Sequence, residues 1–324
     1  MKLIIQIPCY NEAETLPHTL QLLPRAIEGV DEIEVLVIDD GSQDGTAEVA
    51  RAAGVQHVLR LRAHAGLAFA FAAGLNASLE AGADLIVNTD ADNQYEAADI
   101  PKLLEPLLRG EADLVVGDRG VATQPYFKPL KRRLQTWGSR VVSSAAGLQI
   151  PDATSGFRAF TRQAALRTII LSEYSYTLET LIQAGQRHLR VVSVPVRTNP
   201  PRRPSRLMRG TVDYLAHSSI TILRAYAMYR SIRVFFFIGG VLIVLGLIPL
   251  LRFLYFYFFV TPAVGKVQSL LLGAVLLIIG FQTMLIGLLA DLVGFNRKIL
   301  EEILLRVRQL GDVASRQDGA SEGD

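Results

Sequence analysis

Two carboxylates two residues apart, Asp90 and Asp92, follow a short apolar run at Asp84–Asn88. In extended backbone, residues i and i+2 point the same way, so both carboxylates can face one point. Two close carboxylates repel unless a cation sits between them. Hard divalent ions such as Mg²⁺ or Mn²⁺ take oxygen ligands and leave positions open for phosphate. The pattern therefore points to a metal that bridges the protein to a diphosphate and offsets charge on a leaving group. A solvated loop pair would present the same letters, so the company of these two residues decides.

That company is polar and largely acidic. Pro8-Cys9-Tyr10-Asn11-Glu12 follows a first apolar run, Asp39-Asp40-Gly41-Ser42-Gln43-Asp44-Gly45-Thr46 a second, and Gly117-Asp118-Arg119 a later one. No G-x-G-x-x-G follows the first run, which argues against a dinucleotide site, and no G-x-x-x-x-G-K-[ST] occurs, which excludes a P-loop. The elements that must position these groups are short. Lys2–Ile7, Ile33–Ile38, His57–Leu61, Asp84–Asn88 and Asp113–Val116 read as buried strands. Ala13–Ile27, Asp44–Ala53, Gly66–Ala81 and Ile100–Arg109 read as helices. Alternating strand and helix predicts an α/β fold, a mostly parallel sheet with helices on both faces. Ligands in such sheets bind beyond the carboxyl ends of the strands, where the polar groups lie.

The chain has 324 residues, half of them hydrophobic, and a mean hydropathy of +0.29. The apolar residues are concentrated in two runs, Val234–Phe259 and Val267–Ala290. Roughly 20 helical residues span a bilayer, so both qualify. The stretch between them, with Pro262 and Gly265, can only turn, which predicts a membrane hairpin. Arg224, Arg230 and Arg233 precede it, and Arg297, Lys298, Arg306 and Arg308 follow. The positive-inside rule then puts both ends in the cytoplasm. Met1-Lys2-LIIQIP is too short an apolar run for a signal peptide, so the N-terminal part is expected to stay cytoplasmic. The expected organisation is a catalytic domain over 1–200 and a basic loop with an amphipathic juxtamembrane helix over 201–233. Two transmembrane helices over 234–291, a cytoplasmic helix over 292–310 and a disordered tail over 311–324 complete it. A net charge of +2 argues against nucleic-acid binding, and the single cysteine, Cys9, excludes an intramolecular disulfide framework.

Ile7–Glu12 (IPCYNE), Ile38–Thr46 (IDDGSQDGT), Thr89–Gln94 (TDADNQ), Val115–Arg119 (VVGDR) and Asp152–Phe160 (DATSGFRAF) together resemble glycosyltransferase family 2. With the hairpin, the chain is most similar to polyprenyl-phosphate glycosyltransferases of the dolichol-phosphate mannose synthase type. The resemblance implies the nucleotide-diphospho-sugar (GT-A) fold. It implies a nucleotide site of Pro8, Tyr10, Asn11, Glu12, Asp39, Asp40, Asp90 and Ala91, with Glu12 near the ribose and Asp39 at the base. It also implies Mg²⁺ or Mn²⁺ at Asp90, Asp92 and Gln94, and places Asp152 and Arg158 near the acceptor. Ala153 replaces the usual proline, and Arg62-Ala63-His64-Ala65-Gly66 stands where many members have Arg-Asn-x-Gly.

Two stretches are basic with almost no acids: Arg119, Lys128, Lys131, Arg132, Arg133 and Arg140; then Arg197, Arg202, Arg203, Arg206 and Arg209. Some would meet lipid headgroups. Arg119 and Arg133, then Arg202 and Arg203, are candidates for a clamp on an acceptor phosphate. The expected partners are a nucleotide-sugar (UDP- favoured over GDP-), a polyprenyl phosphate (undecaprenyl phosphate in a bacterial host) and the bilayer. A homo-oligomer packed through Gly239, Gly240, Gly246, Gly273 and Gly280 is also expected. The expected catalytic set is Asp92, Asp152, Arg119 and Arg133, with Asp152 as base or acceptor-orienting group. Two rival functions share the N-terminal motifs. A glycan-extending synthase would need a Q-x-x-R-W motif, and Gln135-Thr136-Trp137 does not fit it. An inactive scaffold or lipid-carrier transporter would not need Glu12, Asp39, Asp90 and Asp92 intact.

Overall fold

The computed structural model describes residues 1–120, 138–140, 142–144, 146–170, 176–199, 231–259 and 267–321. Two compact units emerge, residues 1–222 with 304–324 and residues 223–303. In the first, β1 (Lys2–Cys9), β2 (Glu32–Asp39), β3 (His57–Arg60), β4 (Leu85–Asn88), β5 (Leu114–Asp118), β6 (Arg158–Thr161) and β7 (Val191–Pro195) form one sheet. Its order is β3-β2-β1-β4-β6-β5-β7. All pairings are parallel except those of β6, which runs antiparallel to both β4 and β5. Sequence reading anticipated the first five strands. It missed β6, whose four residues show no alternation, and β7.

Strand β1 is buried along almost its whole length because helices cover both faces of a central parallel strand. Its one polar interior residue, Gln6, donates to Asn88 Oδ1 of β4 at 2.9 Å. Helix α1 (Leu16–Leu22) is shorter than the expected Ala13–Ile27. Asn11 adopts a left-handed φ of 54°, the Glu12 carbonyl accepts from both Thr15 N and Leu16 N, and Pro17 sits in the first turn, where it lacks no needed donor. Helices α2 (Thr46–Ala52), α3 (Leu67–Glu80) and α4 (Ile100–Leu108) lie within the expected ranges. Gly74 lets α3 lie close over β1 and β2: a Cβ there would stand 2.7 Å from Gln6 Oε1 and 2.8 Å from Ile38 Cδ1. Two further helices follow, α5 (Arg162–Leu166) and α6 (Tyr176–Gln186). Arg162 closes the end of α3, donating to the Leu79 and Ala83 carbonyls.

The second unit contains α7 (from Ser231 to Phe259) and the start of α8 (from Val267). Ile232–Phe259 and Val267–Asn296 are each long and apolar enough to cross a membrane. Only 11% and 17% of their most apolar windows are buried, so their apolar side chains face outward rather than into a protein core. The helices pack through glycine. A Cβ on Gly239 would meet the Gly280 carbonyl at 2.7 Å, and one on Gly273 would meet the Gly246 carbonyl at 2.9 Å. Gly239, Gly246, Gly273 and Gly280 are therefore used inside the hairpin. Helix α8 continues to Ser321, through the segment expected to be a disordered tail. The expected juxtamembrane helix lies outside the described residues.

Candidate active site

The carboxyl ends of β1, β2, β4 and β5 share one sheet edge because these strands are parallel. Strand β6 runs the other way, so the loop that enters it, residues 152–157, reaches the same edge. Topology thus assembles five motif segments that are far apart in sequence.

The first two segments are laced together. Asn11 N donates to Ser42 Oγ at 2.9 Å and its side-chain Oδ1 accepts from Gln43 N at 2.9 Å. Glu12 N donates to Thr46 Oγ1 at 3.0 Å, and Ala13 N to Asp44 Oδ2 at 3.0 Å. Glu12 is 8% exposed, and its Oε2 accepts from Thr15 Oγ1 at 2.5 Å. Pro8 is buried at the end of β1 and Tyr10 is exposed beside it. Asp39 is 1% exposed. Its Oδ1 accepts from Ser42 N at 2.9 Å, whereas Oδ2 has no hydrogen-bond partner and lies 3.5 Å from Arg60 Nε. The Arg60 guanidinium thus offsets the charge of a buried oxygen that makes no hydrogen bond. Asp40 is engaged differently. Its two oxygens accept from Ala65 N and Gly66 N at 2.8 and 2.9 Å, which ties the 63–66 loop to β2.

Asp90 and Asp92 stand just past β4. Burial, and then the charge of Asp92, push the Asp90 carboxyl well above the usual carboxylate range against the pull of Arg119, and Glu12 adds to the push. A carboxylate pair that resists double ionisation is a donor set that fits a hard divalent cation. Among the described residues no cluster of three His, Cys, Asp or Glu forms a complete protein cage. Such a cation would therefore take its remaining ligands from diphosphate oxygens and water. Gln94 donates to Asp92 through both its backbone N (3.1 Å) and its Nε2 (2.6 Å). That geometry makes Gln94 a group that orients Asp92.

The loop carrying the two aspartates is held from several sides that the sequence did not signal. Thr19 Oγ1 of α1 donates to the Ala91 carbonyl at 2.8 Å. Asn199 N donates to the Gln94 carbonyl at 2.8 Å, and Asn199 Nδ2 to the Asn93 carbonyl at 3.1 Å. Arg197, expected on a lipid-facing basic stretch, instead binds the fully buried Asp99 through its backbone N (2.7 Å) and its guanidinium (Nη2 at 2.8 Å). Burial raises the Asp99 carboxyl, but Arg197 and Lys102 overcome it and hold it at about 2. Beneath Asp90, Asn88 Nδ2 donates to the Gly156 carbonyl at 2.8 Å, and Tyr95 Oη accepts from Gly156 N at 3.0 Å. A Cβ on Gly156 would stand 2.6 Å from Tyr176 Oη and 3.4 Å from Asp90 Oδ1, so only glycine fits.

Arg119 and Asp152 form a bidentate pair. Nε donates to Oδ2 at 2.6 Å and Nη2 to Oδ1 at 3.0 Å, and Nη2 also donates to Thr154 Oγ1 at 2.7 Å. Asp152 is 2% exposed. Burial raises its carboxyl, but the Arg119 bonds and charge, with Thr154, leave it below the ordinary value. Asp152 therefore sets the orientation of Arg119 and does not stand free as a base. Arg158 is 0% exposed and donates to the Ser155 and Ala153 carbonyls and to Thr180 Oγ1. Its guanidinium braces the 152–157 loop from below, so the acceptor contact expected of it is corrected. Arg133, Arg202 and Arg203 lie outside the described residues. Cys9 is buried, and burial pushes its thiol well up, as suits a core residue.

Residues 4–168 match the family model described as glycosyl transferase family 2. The undecaprenyl-phosphate mannosyltransferase of Micrococcus luteus is 35% identical over 207 residues, covering 60% of this chain and 83% of that protein. The glycosyltransferase AglJ of Haloferax volcanii is 30% identical over 306 residues, covering 92% of this chain and 96% of that protein. Glucosyl-3-phosphoglycerate synthase from Mycobacterium tuberculosis, solved with Mn²⁺, UDP and phosphoglyceric acid, shares the fold. Its TM-score is 0.53 at 22% identity, covering 70% of this chain and 77% of that one. The mixed sheet is GT-A-like, and the chain belongs to glycosyl transferase family 2.

Proposed function

We propose that this enzyme transfers one hexose from a nucleotide-diphospho-sugar to a polyprenyl phosphate at the cytoplasmic face of a membrane. The acceptor would be undecaprenyl phosphate in a bacterial host. The relatives named for polyprenyl-phosphate sugar transfer support the acceptor class, and the two long apolar helices support membrane anchoring. Arginine and lysine flanking the hairpin support cytoplasmic ends.

The observation that carries the acceptor reading is the engagement of Asp152. Both its oxygens are taken by Arg119 and Thr154, so it is poorly placed to deprotonate a sugar hydroxyl. A phosphate monoester has a second pKa of about 6 and is largely dianionic at neutral pH, so it attacks without such help. Arg119, held in orientation by Asp152, would steady the incoming phosphate through the rest of its guanidinium. Glu12, Tyr10 and Asp39 would hold the nucleoside and thereby align the sugar for attack. Asp90 and Asp92 would hold the divalent cation, which when bound offsets charge on the departing diphosphate. Displacement in one step at the anomeric carbon inverts its configuration. The one Asp39 oxygen without a hydrogen bond, with the Arg60 donor 3.5 Å away, would suit uracil, whose N3–H is flanked by carbonyls. Guanine presents two adjacent donors and would want two acceptors, so UDP-sugars are favoured over GDP-sugars.

The test is direct. Detergent-purified full chain is incubated with Mg²⁺ or Mn²⁺, undecaprenyl phosphate and a panel of UDP- and GDP-sugars, and products are read by mass spectrometry. A metal-dependent, singly glycosylated lipid phosphate with inverted configuration is expected. Nucleotide-sugar hydrolysis without glycolipid from any donor would overturn the acceptor assignment.

A further inference from the structure

Arg197-Thr198-Asn199, just past β7, runs beside the loop that carries the two aspartates. Sheet pairing sets where this segment starts. Pro195 of β7 lies opposite Asp118 of β5, and Val196 N donates to the Asp118 carbonyl at 2.9 Å. At one end Arg197 holds the fully buried Asp99. In the middle the Arg197 carbonyl accepts from Glu96 N at 3.2 Å, and Thr198 forms an antiparallel bridge with Tyr95. At the other end stands Asn199, where the following Pro200 favours extended backbone. Its two donors take two successive carbonyls, the backbone N that of Gln94 (2.8 Å) and Nδ2 that of Asn93 (3.1 Å). A carbonyl only accepts, so the amide orientation of Asn199 is fixed.

The carbonyls it takes belong to a constrained turn. Asn93 has a left-handed φ of 54°, a region sparsely populated by residues with a side chain. The next residue, Gln94, touches both oxygens of Asp92, through its backbone N on Oδ1 and its Nε2 on Oδ2. The contacts therefore run from Asn199, through residues 93 and 94, to the Asp92 carboxylate. We propose that Asn199 is a positioning residue for the cation: by holding this turn it fixes Asp92 against Asp90 and so favours small Mg²⁺ over larger Ca²⁺. Mg²⁺ demands near-ideal octahedral ligands at about 2.1 Å, whereas Ca²⁺ accepts a looser set. The inference rests on the cation reading above and deepens it.

Calorimetric titration of UDP, or of GDP should the wild type prefer it, into the detergent-purified full chain tests this without turnover. The titration is run at graded Mg²⁺, at graded Ca²⁺ and in EDTA. Asn199→Ala and the near-isosteric Asn199→Leu both remove Nδ2 and keep the backbone bond. In both, the Mg²⁺ concentration that half-saturates the gain in nucleotide affinity should rise about tenfold, the usual loss when a group behind a metal ligand is removed. The corresponding Ca²⁺ concentration should rise much less, and nucleotide affinity in EDTA should match wild type. An unchanged Mg²⁺ requirement in both variants would overturn the inference. So would an equal rise for Mg²⁺ and Ca²⁺, or a matching loss of affinity in EDTA, either of which would assign Asn199 to the general fold of the loop. Absence of any cation-dependent nucleotide binding in the wild type would instead overturn the cation reading itself.

Discussion

In the sheet unit, ionised side chains lie inside and are matched: Asp99 with Arg197 and Lys102, and Asp152 with Arg119. In the hairpin, α7 and α8 approach through glycines that meet backbone carbonyls, and large apolar residues such as Phe237, Phe259 and Leu289 point outward. The difference follows from the solvent each part suits. Water rewards an interior of apolar residues with paired polar groups. Lipid offers no hydrophobic drive between helices, so close packing of small residues supplies the attraction. Charge therefore specifies geometry in one unit and backbone proximity does so in the other.

The sharpest break of that comparison is at Asp90 and Asp92, the pair proposed to hold the cation. Asp92→Ala should lower transfer by roughly 10² or more, as loss of transition-state charge stabilisation does, while the protein still partitions into membranes. Assay of transfer beside membrane fractionation checks both halves. Next is the buried pair. Asp152→Ala strands the Arg119 guanidinium and should destabilise the sheet unit by about 3–5 kcal/mol, read as a lowered denaturation midpoint. Hairpin substitutions should behave oppositely. Gly280→Leu forces bulk against Ile243 and the Gly239 carbonyl and should cost about 1–3 kcal/mol. Increased protease sensitivity of the hairpin with unchanged UDP affinity is the expected readout.

A smaller effect comes from Asp99. Its carboxyl is lowered to about 2 in the folded chain, so the stabilisation it gives is present above its ordinary value and is lost as pH falls towards 2. With exposed partners screened by solvent, that contribution is about 1 kcal/mol. Asp99→Asn should therefore be less stable than wild type at pH 6, and the gap should close on acidification to about pH 2. Of similar size is Thr19→Val, which removes one bond to the Ala91 carbonyl. It should cost about 1 kcal/mol, read as a few-fold weaker Mg²⁺ dependence of nucleotide binding.

How much of this was legible in the sequence varies with the kind of signal. The first five strands were readable because each is a buried apolar run ending in a polar cluster. Strand β6 was not, since Arg158 looks like a surface ligand until the sheet closes around it. The acidic motifs marked the pocket edge, but not which acids were already partnered. Asp39 and Asp40 are adjacent letters, yet one has an oxygen without a hydrogen bond, beside Arg60, and the other is taken by loop amides. Thr19 and Asn199 carry no motif at all. Their value arises only from where α1 and the segment after β7 pass the aspartate loop.

The reversed strand has a consequence for how this architecture can diversify. Since β6 runs against β5, the chain leaves the sheet at Asp118 and returns at Arg158 on the same rim. The insert between Asp118 and Arg158 thus starts and ends on one rim of the sheet, whereas a parallel crossover must travel its length. Such an insert can change length and chemistry without altering the register of any strand. The parallel strands β1, β2 and β4 carry the segments proposed for the nucleotide, and they are untouched by such changes. On the proposed function, donor and acceptor preferences would then vary as nearly separate parts, with the Arg119–Asp152 pair where the insert leaves and rejoins the rim.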